Sequence, residues 1–463
     1  MNIRQRYFGD KDFYRRIVTV MLPIMAQNAI TNFVGLLDNI MVGRVGTLEM
    51  SGVSVINTLM LVYNCCVFGA VAGVGIYTAE YYGAGNEEGI RNSFRFKTVF
   101  AVALAVLAVS IFLIGSDGLI SLYLEGKGDP ADAAQILDYG KQYLRIIMIG
   151  LIPHAFTQSY ADTLRNCRKV MPPMAAGLTA MAVKVVLNYL LIFGYLGFPR
   201  LGIVGAGISV VISRFVELGV IVSWTKRHLP AVPFMKGLFR TLKVPGRLCL
   251  EMIRSAFPLM VNETVWSAGL AFLTQCYTTR ALNVVAAVSI SNTFYNLFSV
   301  TFKSAGTAVG ILIGQMLGVR AFARAKEEVP KMIVFAMMIG LAVAVVYVGI
   351  AFTAPGLYNV TPEVRRIARD LLLATIIFIP VNGALSATYH TLKAGGNTVL
   401  VMLVDCGAIW LFQALPTFLL SRFTGIGIIP LYFFAQCGLI LKLAVQLCFV
   451  RRGGWARSLV EEA

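Results

Sequence analysis

The chain has 463 residues, of which 57% are hydrophobic and 14% are charged, and its mean hydropathy is +0.74. Soluble globular domains have about 45–50% apolar and about 25% charged residues, so this composition excludes a soluble globular protein and indicates a polytopic membrane protein. The net charge of +17 does not indicate nucleic-acid binding, because no aromatic and basic recognition module accompanies it.

Long apolar segments separated by short polar turns follow one another along the chain. Each can cross a hydrocarbon core of roughly 30 Å as an α-helix. We predict an all-α integral membrane protein with about twelve spans, at 17–42, 53–82, 98–124, 139–161, 173–196, 204–224, 255–279, 285–317, 332–354, 371–391, 398–422 and 425–449. The first span is too long for a cleaved signal peptide and lacks its small-residue exit, so we expect the amino terminus to be retained.

Basic residues are concentrated in alternate loops, above all between the sixth and seventh predicted spans. Such loops lie on the cytoplasmic side of a membrane, where their charge favours contact with an anionic leaflet. We therefore predict a multi-pass protein of the cell (inner or plasma) membrane with both termini in the cytoplasm.

The sequence contains an internal repeat. GVSVINT (52–58) returns as AVSISNT (287–293), 235 residues later, and TLRNCRK (163–169) resembles TLKAGGN (391–397) at an offset of 228. Six helices in each half would give both halves the same orientation, so we predict two six-helix bundles related by a pseudo-twofold axis along the membrane normal. Parallel repeats around a midplane site are an architecture of transporters.

The repeat and the basic loop divide the chain into five predicted parts. These are a cytoplasmic amino-terminal segment (1–16), an amino-terminal six-helix bundle (17–224), a basic cytoplasmic linker (225–254), a carboxyl-terminal six-helix bundle (255–449) and a cytoplasmic tail (450–463).

Two similar bundles that rock against each other can expose a shared cavity alternately to each side of the membrane. This favours a transporter, and the alternative is an ancient duplication in a channel or a membrane enzyme. An enzyme would need a reactive constellation, whereas His154, His228 and His390 are isolated and no paired-carboxylate or metal motif accompanies them. We expect no enzymatic activity and no cofactor.

Four groups of motifs occur in order along the two halves. They are LPIMAQNAITNFVGLLDNIMVGRVG (22–46), YYGAGNEEGIR (81–91), LNYLLIFG with LGIVGAGIS (187–209), and NETVWSAG with GQMLGVRAFARAKEE (262–328). Together they resemble the multidrug and toxic compound extrusion (MATE) family, in its bacterial form, over nearly the whole chain. The resemblance implies a secondary antiporter that exports organic, often cationic or amphipathic, compounds by alternating access in exchange for Na⁺ or H⁺.

The expected partners are therefore small organic substrates and the lipid bilayer, with no nucleic acid, and the expected state is a monomer. A lipid or lipid-linked glycan flippase of the wider superfamily is the alternative function. Such a flippase would need a more cationic cavity for phosphate groups.

The resemblance points first to Asp38, which lies fifteen residues beyond the predicted helix-kinking Pro23. In the MATE family the aspartate of this motif takes part in cation coupling; the alternative is a carboxylate that caps backbone groups. One branch has an asparagine and an aspartate that share sodium with it, and this sequence has Lys184 and Asn188 there. Lys184 either pairs with Asp38 in place of the ion or faces elsewhere. The lysine slightly favours proton coupling, with no confident metal site and Na⁺ as a remaining possibility.

In the carboxyl half, Glu263 matches a glutamate that binds cations in another branch of the family, whose helix-ten aspartate falls at Asn382 here. Asp405 is a candidate to compensate for that loss, or else a structural hydrogen-bonding group. Both carboxylates lie roughly 10 to 14 Å inside the predicted cytoplasmic edge and could share a cavity that binds a proton, sodium or a cationic substrate. His154 lies close to the repeat position of Asn382 and is a candidate proton relay or a structural histidine.

Charges within hydrocarbon are costly and usually face a cavity or a partner. Four further ionisable residues of the predicted spans are singled out. Glu80 is expected to cap or gate an interface, Arg214 and Lys442 are placed near span ends, and Lys303 has no assigned partner. Lys442 is expected to extend its ammonium towards the interface.

Polar and aromatic side chains within the spans are candidates for the substrate cavity, because aromatic faces attract organic cations. The alternative for each is packing against protein or lipid. The candidates are Asn28, Asn57, Asn262, Trp266, Tyr277, Asn292 and Tyr295.

Overall fold

The computed structural model describes residues 7–124, 130–241, 243–279, 282–358 and 360–460. The start of the predicted segment 1–16 and the end of the predicted tail 450–463 lie outside these ranges. Within them, every regular element is helical, so the predicted all-α fold is confirmed.

The main helices are numbered in chain order. They are α1 Lys11–Gly43, α2 Thr47–Ala84, α3 Glu87–Leu124, α4 Pro130–Met148, α5 Leu151–Asn166, α6 Met171–Phe193, α7 Ile203–Arg227, α8 Gly246–Thr278, α9 Leu282–Gly318, α10 Phe322–Thr353, α11 Pro362–Ile376, α12 Ile379–Ala394, α13 Thr398–Phe423 and α14 Ile428–Arg452. Short 3₁₀ helices lie at Tyr195–Gly197, Leu229–Ala231, Pro233–Met235 and Ala354–Leu357.

The helices match the prediction of about twelve spans. Among the residues described, nine helices are long and apolar enough to cross a membrane, and α11 with α12 forms a tenth, bent by 50°. The pair α4–α5 and helix α8 are not among these ten, but they lie at the fourth and seventh predicted spans. The fourth and tenth predicted spans are thus each broken into two helices.

Prolines explain where the two broken spans restart. Pro153 lies in the first turn of α5 and Pro380 in the first turn of α12. A proline lacks the N–H that continues a helical ladder, but the first turn of a helix leaves its N–H groups without intrahelical partners. The sequence around each proline therefore favours a helix start over an unbroken helix.

Other prolines and a π-helical segment interrupt the hydrogen-bond ladder within single helices. Helix α1 runs through Pro23 and α8 through Pro258, and each loses one backbone hydrogen bond there. Helix α13 contains a π-helical segment at Ala408–Ala414, three residues beyond Asp405. Such segments occur frequently at functional sites.

The chain forms two compact units. The amino-half unit contains Ala26–Thr78 and Glu87–Glu251, and the carboxyl-half unit contains Met1–Met25, Ala79–Asn86 and Met252–Ala463. The start of α1 and the end of α2 thus belong with the second half of the sequence. The five-part division given above stays a prediction.

Each unit has its own apolar core. In the amino-half unit, Ile56, Ala101 and Leu151 are fully buried in one cluster of apolar side chains. In the carboxyl-half unit, Leu371 and Leu431 are fully buried in another. Many large apolar side chains outside these cores are exposed, as expected for helix faces that meet lipid.

Candidate functional site

The clearest polar site of the amino-half unit joins α1 to α6. Lys184 and Asn188 lie one helical turn apart on α6, so their side chains share a face. Lys184 Nζ donates to Asp38 Oδ2, and Asn188 Nδ2 donates to Asp38 Oδ1 over 2.7 Å. The side chains of Lys184 and Asp38 are 22% and 18% exposed. The sequence left this pairing open, and the structure places the three side chains in direct contact.

This arrangement leaves Asp38 with both carboxylate oxygens engaged by donors from one helix. The ammonium of Lys184 balances the carboxylate, so the cluster is neutral when both groups are charged. Chemically, it can hold a proton on the carboxylate or keep the ion pair closed. Besides the two carboxylate oxygens, which each already accept a hydrogen bond, it offers a cation the Oδ1 of Asn188, which is buried without a hydrogen bond.

A second buried ion pair lies in the same unit and was missed by the sequence analysis. Lys97 on α3 is fully buried, and its Nζ donates to Asp162 Oδ2 over 2.5 Å, to Thr163 Oγ1 over 3.1 Å and to Thr78 Oγ1 over 3.3 Å. All three protons of the ammonium are therefore satisfied. The pair ties α3 to α5 and α2, and its closed geometry indicates a structural role.

The carboxyl-half unit contains a larger polar cluster. Asp405 on α13 forms an ion pair with Lys442 on α14. Asn262 Nδ2 makes long hydrogen bonds of 3.4 Å to Asp405 Oδ2 and to the Tyr389 hydroxyl, which in turn donates to Glu263 Oε1 over 3.5 Å. The two carboxylates proposed from sequence to share a cavity therefore belong to one connected cluster.

The expectation that Lys442 extends towards the interface is wrong. Its side chain is 10% exposed and contacts the 9% exposed side chain of Asp405. A buried carboxylate left without its partner would be strongly destabilising, so the ammonium is better placed at Asp405 than at the membrane surface. Lys303, which had no assigned partner, lies within electrostatic range of Glu263.

The chain belongs to the MatE family. The MatE family model matches the chain at residues 23–190 and again at 260–419. Two regions that both carry the family pattern agree with the internal repeat seen in the sequence.

Relatives of this MatE-family protein are similar over nearly their whole length. The probable multidrug resistance protein NorM of Thermotoga maritima is 25% identical and is matched over 96% of this chain and 94% of its own. The probable multidrug resistance protein YoeA of Bacillus subtilis is 24% identical, over 90% and 89%. The chain is thus a multi-pass membrane protein of a family whose curated relatives are named as resistance proteins.

Solved structures share the fold. A multidrug resistance MATE family transporter of the MOP superfamily, solved in an outward-facing conformation, has a TM-score of 0.81 at 20% identity, covering 97% of this chain and 96% of its own. A Vibrio cholerae MATE transporter has a TM-score of 0.85 at 16% identity, covering 95% and 97%. At these identities the likeness concerns the fold alone.

Two further candidates for coupling in this MatE-family protein contact local structure. Asn382 Nδ2 donates to the Phe378 carbonyl over 2.9 Å, at the break between α11 and α12. Among the residues described, no hydrogen bond joins it to Glu263 or Asp405. The ring of His154 lies 6.3 Å from that of Tyr63. The roles of both residues in coupling stay predictions.

Glu80 lies four residues before the end of α2, near a span end as expected, whereas Arg214 does not lie near an end. Glu80 is fully buried, and its Oε2 accepts hydrogen bonds from the backbone of Leu459 over 2.7 Å and from the Ser458 hydroxyl over 3.1 Å. It therefore holds the carboxyl-terminal tail. Arg214 lies near the middle of α7, roughly 16 Å from its start, so its placement near a span end was wrong. The sixth predicted span, 204–224, is itself centred on residue 214, so the structure corrects the placement of the residue and not the span.

The substrate-cavity candidates differ in environment. Tyr277 is buried in the carboxyl-half core beside Tyr432, with ring centroids 5.3 Å apart, so packing explains it. Asn262 belongs to the Asp405 cluster described above. The side chains of Asn28 and Asn57 are exposed, and those of Trp266, Asn292 and Tyr295 are half-buried. A role in substrate binding stays a prediction for all seven.

Proposed function

We propose that this MatE-family protein is a secondary antiporter that exports cationic or amphipathic organic compounds by alternating access, driven by a proton gradient. The names of its relatives, as multidrug resistance proteins, support an efflux role. We further propose that the transport unit is a monomer with both termini in the cytoplasm, without nucleic-acid or enzymatic function. The observation that carries the choice of ion is the ammonium of Lys184 on the carboxylate of Asp38.

Sodium is a poor fit to this cluster on electrostatic grounds. A hard cation needs oxygen ligands, whereas two nitrogen donors, from Lys184 and Asn188, already occupy the carboxylate of Asp38. A sodium ion about 4 Å from the ammonium would meet a repulsion of about 4 kcal/mol at an effective dielectric constant of 20. A proton needs no such space, because it neutralises the carboxylate on a single oxygen.

Protonation supplies a coupling step between the two helices. When Asp38 takes up a proton, the ion pair is lost and α6 is held to α1 only by weaker neutral contacts. When the proton leaves, Lys184 closes the pair again. A pair that is closed in one conformation and open in another lets the proton gradient shift the population between them.

The carboxyl-half cluster supports the same choice of ion. A sodium site built from Glu263 and Asp405 would need both carboxylates, but Lys442 already neutralises Asp405. Among the residues described, Glu263 accepts only a long hydrogen bond from Tyr389. We propose that Glu263 is the carboxylate of this unit that meets a proton or the cationic group of a substrate.

The experiment is export of a fluorescent organic cation by purified protein in vesicles, under a proton gradient or a sodium gradient imposed separately with the membrane potential clamped. We expect export under the proton gradient alone, and loss of its dependence on that gradient in Lys184→Ala. The matched control is Lys141→Ala, which removes a lysine from the exposed pair with Asp117 and should leave coupling intact.

Export driven by sodium alone, at the parental rate in Lys184→Ala, would contradict proton coupling and leave Lys184 a structural role. Export under neither gradient would contradict the antiporter itself.

A further inference from the structure

A half-buried arginine lies at the middle of α7, outside the clusters described so far. Arg214 is eleven residues from the start of α7 and thirteen from its end, or roughly 16 and 20 Å along the helix. A charged side chain at the centre of a spanning helix costs about 2.5–3.5 kcal/mol on insertion scales. Such a residue is expected to have a partner or a function.

Arg214 has no such partner in the part of the chain that the structure describes. It forms no hydrogen bond or ion pair with any residue that the structure describes, and its Nη1 is buried without an acceptor. The side chain lies over the break between α4 and α5, where a Cβ at Gly150 would be 2.9 Å from Arg214 Cδ. The glycine thus leaves room for the arginine, and the guanidinium keeps its hydrogen-bonding capacity unused.

The charges around Arg214 do not balance. The guanidiniums of Arg214 and Arg165 both interact electrostatically with one carboxylate, that of Glu217. Within the described chain, Glu217 forms an ion pair with neither. Arg165 also donates to Gln27 Oε1 over 2.8 Å. The two guanidiniums and the carboxylate are half-buried, and together they carry one surplus positive charge.

Three aromatic side chains lie near the guanidinium. The hydroxyls of Tyr63 and Tyr143 and the ring of His154 lie within its electrostatic range, and the Tyr63 hydroxyl donates to the Leu151 carbonyl at the start of α5 over 3.1 Å. Arg214 thus combines aromatic neighbours with an unsatisfied Nη1. That combination suits an aromatic body carrying an anionic group.

We propose that Arg214 is a binding residue for an anionic oxygen group, a carboxylate or a phosphate, on the compounds that this protein transports. The planar guanidinium binds such a group through two parallel N–H···O bonds. The bound anion also removes the surplus positive charge. The inference rests on the proposed export function and extends its substrates from organic cations to zwitterions and organic acids.

The test is equilibrium binding to the purified protein in detergent, with a rhodamine dye that has a free benzoic acid and with its methyl ester. The two probes differ only at the carboxylate. We expect the parent protein to bind the acid more tightly than the ester. We expect Arg214→Gln to lower the acid-to-ester affinity ratio at least tenfold, and Arg214→Lys to lower it less, because an ammonium keeps the charge but not the fork.

A second variant covers the case in which Arg214→Gln does not fold. Glu217→Gln removes the competing carboxylate and should raise the acid-to-ester ratio several-fold. Displacement of the acid dye by a short-chain phosphatidic acid would identify a lipid phosphate as the source of the anion, and lack of displacement would identify a free organic acid.

Two results would overturn the anion site. One is a parent protein that binds the ester as tightly as the acid, or binds no acid dye. The other is an acid-to-ester ratio that stays unchanged in folded Arg214→Gln or in Glu217→Gln. Binding in detergent does not require export, so failure of vesicles to export any compound counts against the proposed function alone.

Discussion

The burial of the Asp405–Lys442 pair leads to a quantitative prediction, for which the chain supplies its own control. The side chains of Asp405 and Lys442 are 9% and 10% exposed. Asp117 and Lys141 form a pair of the same chemistry over 2.6 Å, but their side chains are 71% and 25% exposed. The two pairs differ chiefly in burial, so comparing them isolates its effect.

The expected magnitudes follow from the dielectric environment. Two unit charges about 3 Å apart attract each other by about 5 kcal/mol at an effective dielectric constant of 20, and by about 1 kcal/mol in water. Removing one partner of a buried pair costs about 3–5 kcal/mol, because the other charge stays buried alone. Exposed pairs contribute about 0–1 kcal/mol. We expect a coupling energy of about 2–4 kcal/mol for the buried pair and below about 1 kcal/mol for the exposed one.

The assay is a pair of double-mutant cycles on the free energy of unfolding in a denaturing-detergent titration. One cycle uses Asp405→Asn, Lys442→Met and the double variant, and the other uses Asp117→Asn, Lys141→Met and their combination. In the first cycle, the double variant should be more stable than the sum of the single losses implies. Equal coupling energies in the two cycles would refute the argument that burial fixes Lys442 on Asp405.

Three further predictions concern the other polar groups. Asp38→Asn should fold normally, because an amide still accepts a hydrogen bond. Export should no longer depend on an imposed proton gradient, because the amide cannot take up and release the proton. Gradient-driven export at the parental rate would show that Asp38 is structural. Glu263→Gln and Asp405→Asn should have non-additive effects on export, because one cluster holds both carboxylates; additive losses would mean separate sites. Glu80→Ala should release the carboxyl-terminal tail, so that trypsin cleaves after Arg457 several-fold faster in detergent. An unchanged cleavage rate would show that other contacts hold the tail.

Apolar length was sufficient to predict the helices, because a membrane requires every span to be long and hydrophobic. It was not sufficient to predict the ion pairs. Lys97 and Asp162 each lie one residue outside a predicted span, 98–124 and 139–161, so neither was considered as an intramembrane charge. A boundary error of one residue concealed a pair that the structure shows buried between helices.

Membrane depth, inferred from residue numbers, also failed to show whether Lys184 contacts Asp38. Counting residues from the predicted start of each span placed the two side chains at different depths. Helix α1, however, begins at Lys11 rather than at residue 17, and tilted helices do not convert residue number into depth directly. The family resemblance, which aligned the two residues as neighbours, was the better guide.

The internal repeat does not copy the charges from one half to the other. At the offset of 235, Asp38 corresponds to Leu273, which is 4% exposed in the carboxyl-half core. The ion pair of the amino-half unit therefore has no counterpart at the equivalent place in the other half. The repeat therefore extends to the helices but not to these charges.

The comparison that starts from Asp405 in the carboxyl half leads to the same conclusion. At the offset of 228, Asp405 corresponds to Gly177, where an added Cβ would lie 2.8 Å from the amide nitrogen of Gln27. Gln27 in turn corresponds to Asn262 at the offset of 235, and Asn262 donates to Asp405. In the amino half an amide on α1 thus lies against α6, and in the carboxyl half an amide on α8 lies against α13. Only the carboxyl half has a carboxylate at that place. Because the Asp38–Lys184 and Asp405–Lys442 pairs do not lie at repeat-equivalent positions, they are expected to act as separate elements. A variant in one half should not be rescued by a change at the repeat-equivalent position of the other.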